Sequence, residues 1–271
     1  MQRRLRLRLR HRPPIEGAGA VVDMEASRND EQTTAEHFQA VRRGQHAGLQ
    51  QTMSAFTSAL LGATPAIAGL DETIVVPARR LHFTLGVMSL DADADHPGRT
   101  LDAAKGVLAR LQPALAALLA GTPLSVKLDR MDIMQPERRD PERAHVLWVG
   151  PAPEGEGARR LKAVAELVLR EFREAGLLVD EGRALKASPG LHCTVLNTVY
   201  RRPRGKTRTP FSYASVLASD AFETVRAREG RAPGPVEVDF GEWGVEEVQI
   251  CEMGSWGPEG EYVAVGRCPL V

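Results

Sequence analysis

The sequence predicts an α+β fold, and three observations carry that expectation. Segments with apolar residues recurring at helical spacing occupy 100–120 and 157–175. Short apolar or alternating segments occupy 81–90, 124–134, 144–150 and 191–200, and three more close the chain. Several of these short segments are joined by polar stretches that suit hairpins, which favours antiparallel pairing over crossover connections.

Taken in order, a helix is plausible within 36–61, best from Gly48 onward, where Leu49, Met53, Phe56, Leu60 and Leu61 share a face. Residues 81–90, LHFTLGVMSL, form the clearest strand, bounded by Arg79 and Arg80 and by an acidic turn. The helix at 100–120 carries Pro113, which interrupts or kinks it. Leu124, Val126 and Leu128 alternate with polar neighbours, so 124–134 reads as a half-buried strand, with 144–150 as its hairpin partner. The helix at 157–175 buries Leu161, Val164, Val168 and Phe172, and Gly176 is placed to end it. Residues 191–200, LHCTVLNTVY, form a second apolar strand, followed by the basic loop RRPRGKTRTP and a short helix near 213–219. Strands at 236–240, 245–253 and 261–267 close the chain.

Composition excludes several function classes. The chain has 271 residues, enough for one large domain or two small lobes, and zero formal net charge. Bulk electrostatics therefore give no case for nucleic-acid binding, and only a local basic patch can supply one. The three cysteines, Cys193, Cys251 and Cys268, lack CxxC spacing and read as reduced core residues, which points to a cytoplasmic or nuclear setting. No apolar run is long enough to span a bilayer, so no membrane is expected as a partner. Residues 1–35 read as a disordered, basic, Pro- and Gly-containing tail, and 36–271 as the folded domain. The arginines at 4, 6, 8, 10 and 12 alternate with period two, whereas an amphipathic targeting helix needs 3.6.

Of the seven histidines, only His82 and His192 are followed two residues later by a hydroxyl residue, Thr84 and Thr194. Each tripeptide follows a leucine at the start of an apolar strand. On a strand, residues i and i+2 share a face ~6.5–7 Å apart, so each His travels with its Thr. If the two strands face each other, two imidazoles and two hydroxyls converge. Such a set suits phosphodiester cleavage. One neutral imidazole takes a proton from the attacking hydroxyl, the other protonates the leaving oxygen, and the threonines donate to the non-bridging oxygens. No HExxH motif or histidine–carboxylate cluster offers a metal site, and no cofactor is implied.

These segments resemble the paired His-x-Thr motifs of the two-histidine phosphoesterase superfamily. More closely, they resemble the domain shared by the A-kinase anchoring protein nuclear-localisation-signal domain and the activating signal cointegrator complex subunit one. EFREAGLLVDE and VEEVQICEMGSWG are similar to the latter group, and the resemblance covers 36–271. It implies a bilobal fold, two antiparallel-rich sheets flanking a central cleft with helices outside. It also implies cleavage of RNA or nucleotide phosphodiesters, either 2′,5′-linked or cyclic. His82 and His192 then become the acid/base pair, and Thr84 and Thr194 the phosphate ligands. The chain departs from the family pattern at 36–45, EHFQAVRRGQ, which is polar where an apolar opening strand is expected.

Arg201, Arg202, Arg204, Lys206 and Arg208 follow the second motif closely and are candidates for guiding an RNA backbone toward the cleft, Arg201 and Arg202 foremost, with a solvated basic loop as the alternative. Tyr200 is a candidate for stacking on a base, with core packing the preferred reading, and Trp243 and Trp256 are expected to pack structurally. His145, in a strand without a hydroxyl partner, and His96 are not expected to be catalytic. Two rival functions stand beside the enzyme: a non-catalytic RNA- or nucleotide-binding subunit of a coactivator or RNA-processing assembly, and a kinase-anchoring scaffold.

Overall fold

A computed structural model describes residues 6–7, 38–42, 46–88, 90, 96–178, 190–227 and 234–271, with side chains described from residue 46 onward. The expected tail over 1–35 lies outside these residues apart from Arg6–Leu7.

Among the described residues the fold is built on two sheets. The first has five strands: β1 (Arg6–Leu7), β2 (Phe38–Arg42), β4 (Leu124–Lys127), β9 (Glu242–Trp256) and β10 (Tyr262–Pro269). The long β9 is its spine. Val245 pairs with both Arg42 and Leu124, so β2 and β4 flank β9 on opposite edges. The short strand β3 (Phe83–Gly86) lies beside β2. The second sheet is antiparallel, in the order β7 (Cys193–Asn197), β6 (Val146–Gly150), β5 (Arg130–Ile133), β8 (Val236–Glu237).

Two expectations are corrected here. The segment 124–134 is not one strand. It divides between β4 in the first sheet and β5 in the second, and the bend between them carries the chain from one sheet to the other. The Asp129 carboxylate accepts from the Ala152 amide at 2.6 Å and pins that bend. The polar stretch 36–45 does contain a strand, β2, and the helix begins only at Ala47. Pairing with the central strand β9 supplies the backbone hydrogen bonds, which outweighs a weak intrinsic strand preference.

Five helices among the described residues pack around the sheets: α1 (Ala47–Leu61), α2 (Leu101–Leu119), α3 (Glu156–Glu174), α4 (Tyr213–Leu217) and α5 (Asp220–Glu223). Thr100 caps α2 by accepting from the Ala103 amide at 3.1 Å, and the helix runs through Pro113. Leu161, Val164, Val168 and Phe172 of α3 are fully buried, each side chain contributing about 1.5–3 kcal/mol. Gly157 lets α3 sit on β4, because a Cβ there would meet the Ser125 carbonyl oxygen at 2.1 Å. Gly176, at positive φ, donates to the Arg173 carbonyl and ends the helix as expected. All three cysteines are free and buried. No helix among the described residues is long and apolar enough to cross a membrane.

Candidate active site

Each His-x-Thr motif sits at the start of its strand, one beside the first sheet and one in the second. His82 directly precedes β3 and His192 directly precedes β7. The two regions are stitched together upstream of the first motif. The Val76 amide donates to the Val195 carbonyl at 2.8 Å, and Val75 bridges Leu196. The segment leading into His82 is thereby held against the strand that His192 begins.

Both imidazoles are oriented by the same device. His82 Nδ1–H donates to the Arg80 carbonyl at 2.6 Å, and His192 Nδ1–H donates to the Gly190 carbonyl at 2.8 Å. Each bond reaches two residues back, and each fixes the neutral tautomer whose lone pair is on Nε2. Two groups set in this way are equipped to exchange protons through Nε2.

Their surroundings differ. His192 lies 5.8 Å from the Trp148 ring, and burial holds its pKa below the usual histidine value, against a smaller opposing effect from the Gly190 bond. Gly150 makes this close packing possible: a Cβ there would stand 3.0 Å from the Leu191 oxygen and 3.5 Å from His192 Cα. His82 instead meets the Tyr262 ring edge-on at 5.4 Å. Tyr262 packs on Trp256 at 4.8 Å, and the Arg80 guanidinium lies 3.7 Å over Trp256.

Two cavities adjoin the pair. One of about 410 Å³ is walled by Thr84 from the first motif and by Gly190 and Leu191, which lead into the second, with Trp148, Arg130 and a mixed face of α3 that includes Lys162, Ala165, Glu166 and Leu169. The other, about 320 Å³, is lined by Arg80, Tyr200, Arg202, Trp256 and Tyr262. Thr194 stands opposite Trp148 in the β6–β7 pairing and is half-buried.

The two loop arginines part company. Arg201 turns inward to an ion pair with Asp71 and donates to the Gly69 carbonyl at 2.5 Å and the Thr209 carbonyl at 3.3 Å. Arg202 is exposed on the wall of the smaller cavity, its amide held by Thr73 Oγ1 at 3.0 Å. His145, expected to lack a hydroxyl partner, has one from across the sheet: Nδ1 lies 2.8 Å from Thr198 Oγ1, and Nε2 lies 2.7 Å from Glu137. Trp243 is structural, as expected, donating to the Phe240 carbonyl at 2.6 Å. Trp256 packs against Tyr262 and Arg80 and is 42% exposed on the cavity wall. Sequence reasoning missed Arg80, which lies two residues before His82, and Trp148 and Tyr262, which only the fold brings to the histidines. Among the described residues there is no cluster of three or more His, Cys, Asp or Glu able to hold a metal ion.

Comparison with known proteins gives the family. Mouse activating signal cointegrator 1 complex subunit 1 is 28% identical over 135 residues, covering 49% of this chain. The matched region is 34% of that protein, so the chain spans only part of its relative's length. Among solved structures, E. coli LigT complexed with 3′-AMP aligns at TM-score 0.43 and 13% identity, covering 88% of this chain and 99% of LigT. The TT0787 protein of Thermus thermophilus aligns at TM-score 0.44 and 16% identity, covering 87% of this chain and 97% of that one. A family model described as the AKAP7 2′5′ RNA ligase-like domain matches residues 35–270. The chain belongs to that family, and with it to the two-histidine phosphoesterase superfamily.

Proposed function

We propose that the protein is a metal-independent phosphodiesterase acting on RNA or nucleotide phosphodiesters, 2′,5′-linked or cyclic. The observation that carries this reading is the matched anchoring of the two motif histidines, each with Nδ1–H on the carbonyl two residues upstream. His192, whose burial favours the neutral form, takes the proton from the attacking hydroxyl. His82 gives a proton to the leaving oxygen. Thr84 and Thr194 donate to the non-bridging oxygens as charge develops there. Arg202 offers a cation to a neighbouring phosphate, whereas Arg201 is committed to Asp71.

The similarity to a mouse cointegrator complex subunit favours a second reading, a binding subunit of a coactivator or RNA-processing assembly in the nucleus or cytoplasm. One experiment separates the two. Wild type and a His82→Ala/His192→Ala variant are assayed in EDTA against 2′,5′-oligoadenylate, 2′,3′-cyclic nucleotides and short RNAs. Turnover that survives EDTA and disappears in the variant is the expected result. Binding by both proteins with no turnover by wild type sinks the enzyme reading and supports the subunit.

A further inference from the structure

The loop that follows β7 carries five cations and no acid between positions 201 and 208, in a chain of zero net charge. It folds around an open pocket of about 210 Å³ lined by Thr198, Arg201, Arg204, Lys206, Arg208 and Thr209, among others, with no carboxylate among the described residues of its wall. Arg201 is neutralised by Asp71. Arg208 is not neutralised by the groups that hold it: it donates to Thr198 Oγ1 at 2.9 and 3.1 Å and to Asn197 Oδ1 at 3.2 Å, all neutral acceptors.

Arg208 is aimed by a relay that the proposed reaction does not use. Thr198 Oγ1 accepts from Arg208, so its proton is left for His145 Nδ1 at 2.8 Å. His145 Nε2–H then donates to Glu137 at 2.7 Å. The bonds from His145 and Arg143 hold the Glu137 carboxyl below its usual pKa, so it stays ionised as the anchor. Three cations thus face one pocket, one of them in a fixed orientation, as anion binding requires.

The same loop reaches toward the histidines. Tyr200 and Arg202 line the aromatic cavity that includes Tyr262, against which His82 packs. From His192 to Thr198 the chain advances six residues, roughly 20 Å at strand rise. A cyclic mononucleotide or dinucleotide cannot reach both places, whereas an extended strand can. Stacking surfaces followed by a basic pocket are what single-stranded nucleic acid uses.

We infer that the pocket of Arg204, Lys206 and Arg208 is a phosphate-binding exosite for single-stranded RNA whose scissile bond lies at the histidine pair. This rests on the phosphodiesterase reading and narrows its substrate to strands longer than a dinucleotide. The test uses an Arg204→Ala/Lys206→Ala variant. Both side chains are exposed, so its thermal midpoint should match wild type. With a fluorescein-labelled oligoadenylate decamer, the variant should bind at least tenfold more weakly. The slope of log affinity against log salt should fall by ~1.4, two phosphate contacts at ~0.7 each. Turnover of the 2′,5′-linked adenylate dinucleotide should stay within twofold.

Unchanged decamer binding would overturn the exosite, as would an equal loss on the dinucleotide. Displacement of the decamer by inorganic phosphate alone would reduce the pocket to a free-phosphate site. Equal displacement by polyglutamate would assign it to acidic chains in general. Absence of dinucleotide turnover by wild type would count against the phosphodiesterase reading instead, because decamer binding remains measurable without turnover.

Discussion

The two motif regions share a backbone device and differ in everything around it. At both, a carbonyl two residues upstream takes Nδ1–H and sets the tautomer. At His192 the neighbours are Trp148, the Gly150 backbone and the Gly190–Leu191 turn, and burial disfavours the charged imidazole. At His82 the neighbours are Tyr262 and, beyond it, Trp256 and Arg80 on the wall of an aromatic cavity. In the proposed mechanism the motif sets which nitrogen reacts, and the surroundings set which histidine is poised as the base. On that proposal, equivalent sequence does not mean equivalent role.

The largest expected effect tests what the regions share. His82→Ala and His192→Ala should each lower kcat by ~10²–10⁴. A variant of either kind that keeps near-wild-type turnover breaks the pairing and leaves one histidine structural. Next come the hydroxyls. Thr84→Val and Thr194→Val conserve shape and remove one donor each, so each should lower kcat by ~10² with KM little changed. A rise in KM with kcat intact would move that threonine from transition-state stabilisation to simple binding.

Much of this was legible in the sequence, for physical reasons that can be named. A helix such as α3 declares itself because the buried set Leu161, Val164, Val168 and Phe172 follows one period over many residues. The His-x-Thr pair is legible because each His directly precedes an apolar strand whose second residue is its Thr. The fate of 124–134 was not legible. Its alternation holds across β4, and nothing local says that the chain changes sheets near Asp129. The strand at 38–42 was hidden because its stability comes from pairing with β9, more than two hundred residues later. The site neighbours Trp148 and Tyr262 were hidden for the same reason. The opposite fates of Arg201 and Arg202 depend on Asp71, which only the tertiary fold brings within reach.

A third prediction sharpens the His82 side alone. Trp256 is exposed, so Trp256→Ala should leave the fold intact while removing a stacking surface and the partner of Arg80. Stacking worth about 1–3 kcal/mol per base predicts a KM raised ~5-fold or more with kcat nearly unchanged. The effect should be seen with oligonucleotides and be weaker with cyclic mononucleotides. Equal effects on both would mean that Trp256 supports the histidine rather than the substrate.

The smallest effect reads the His192 side through pH. A base whose pKa is lowered by burial loses activity only as pH falls through that lowered value, so the acidic limb of kcat/KM should lie below the ordinary histidine pKa of ~6.5. Trp148→Phe trims the ring beside His192 and admits water. Deleting the indole N–H, which is buried without a hydrogen-bond partner, offsets part of the cost of the smaller ring. Better hydration favours the protonated imidazole, so the folded pKa rises toward the ordinary value. The acidic limb should then shift to higher pH by a fraction of a unit, with the plateau rate retained. A limb that stays put, or that moves only when Tyr262 is changed to Phe, would assign the base to His82 and reverse the roles of the two regions.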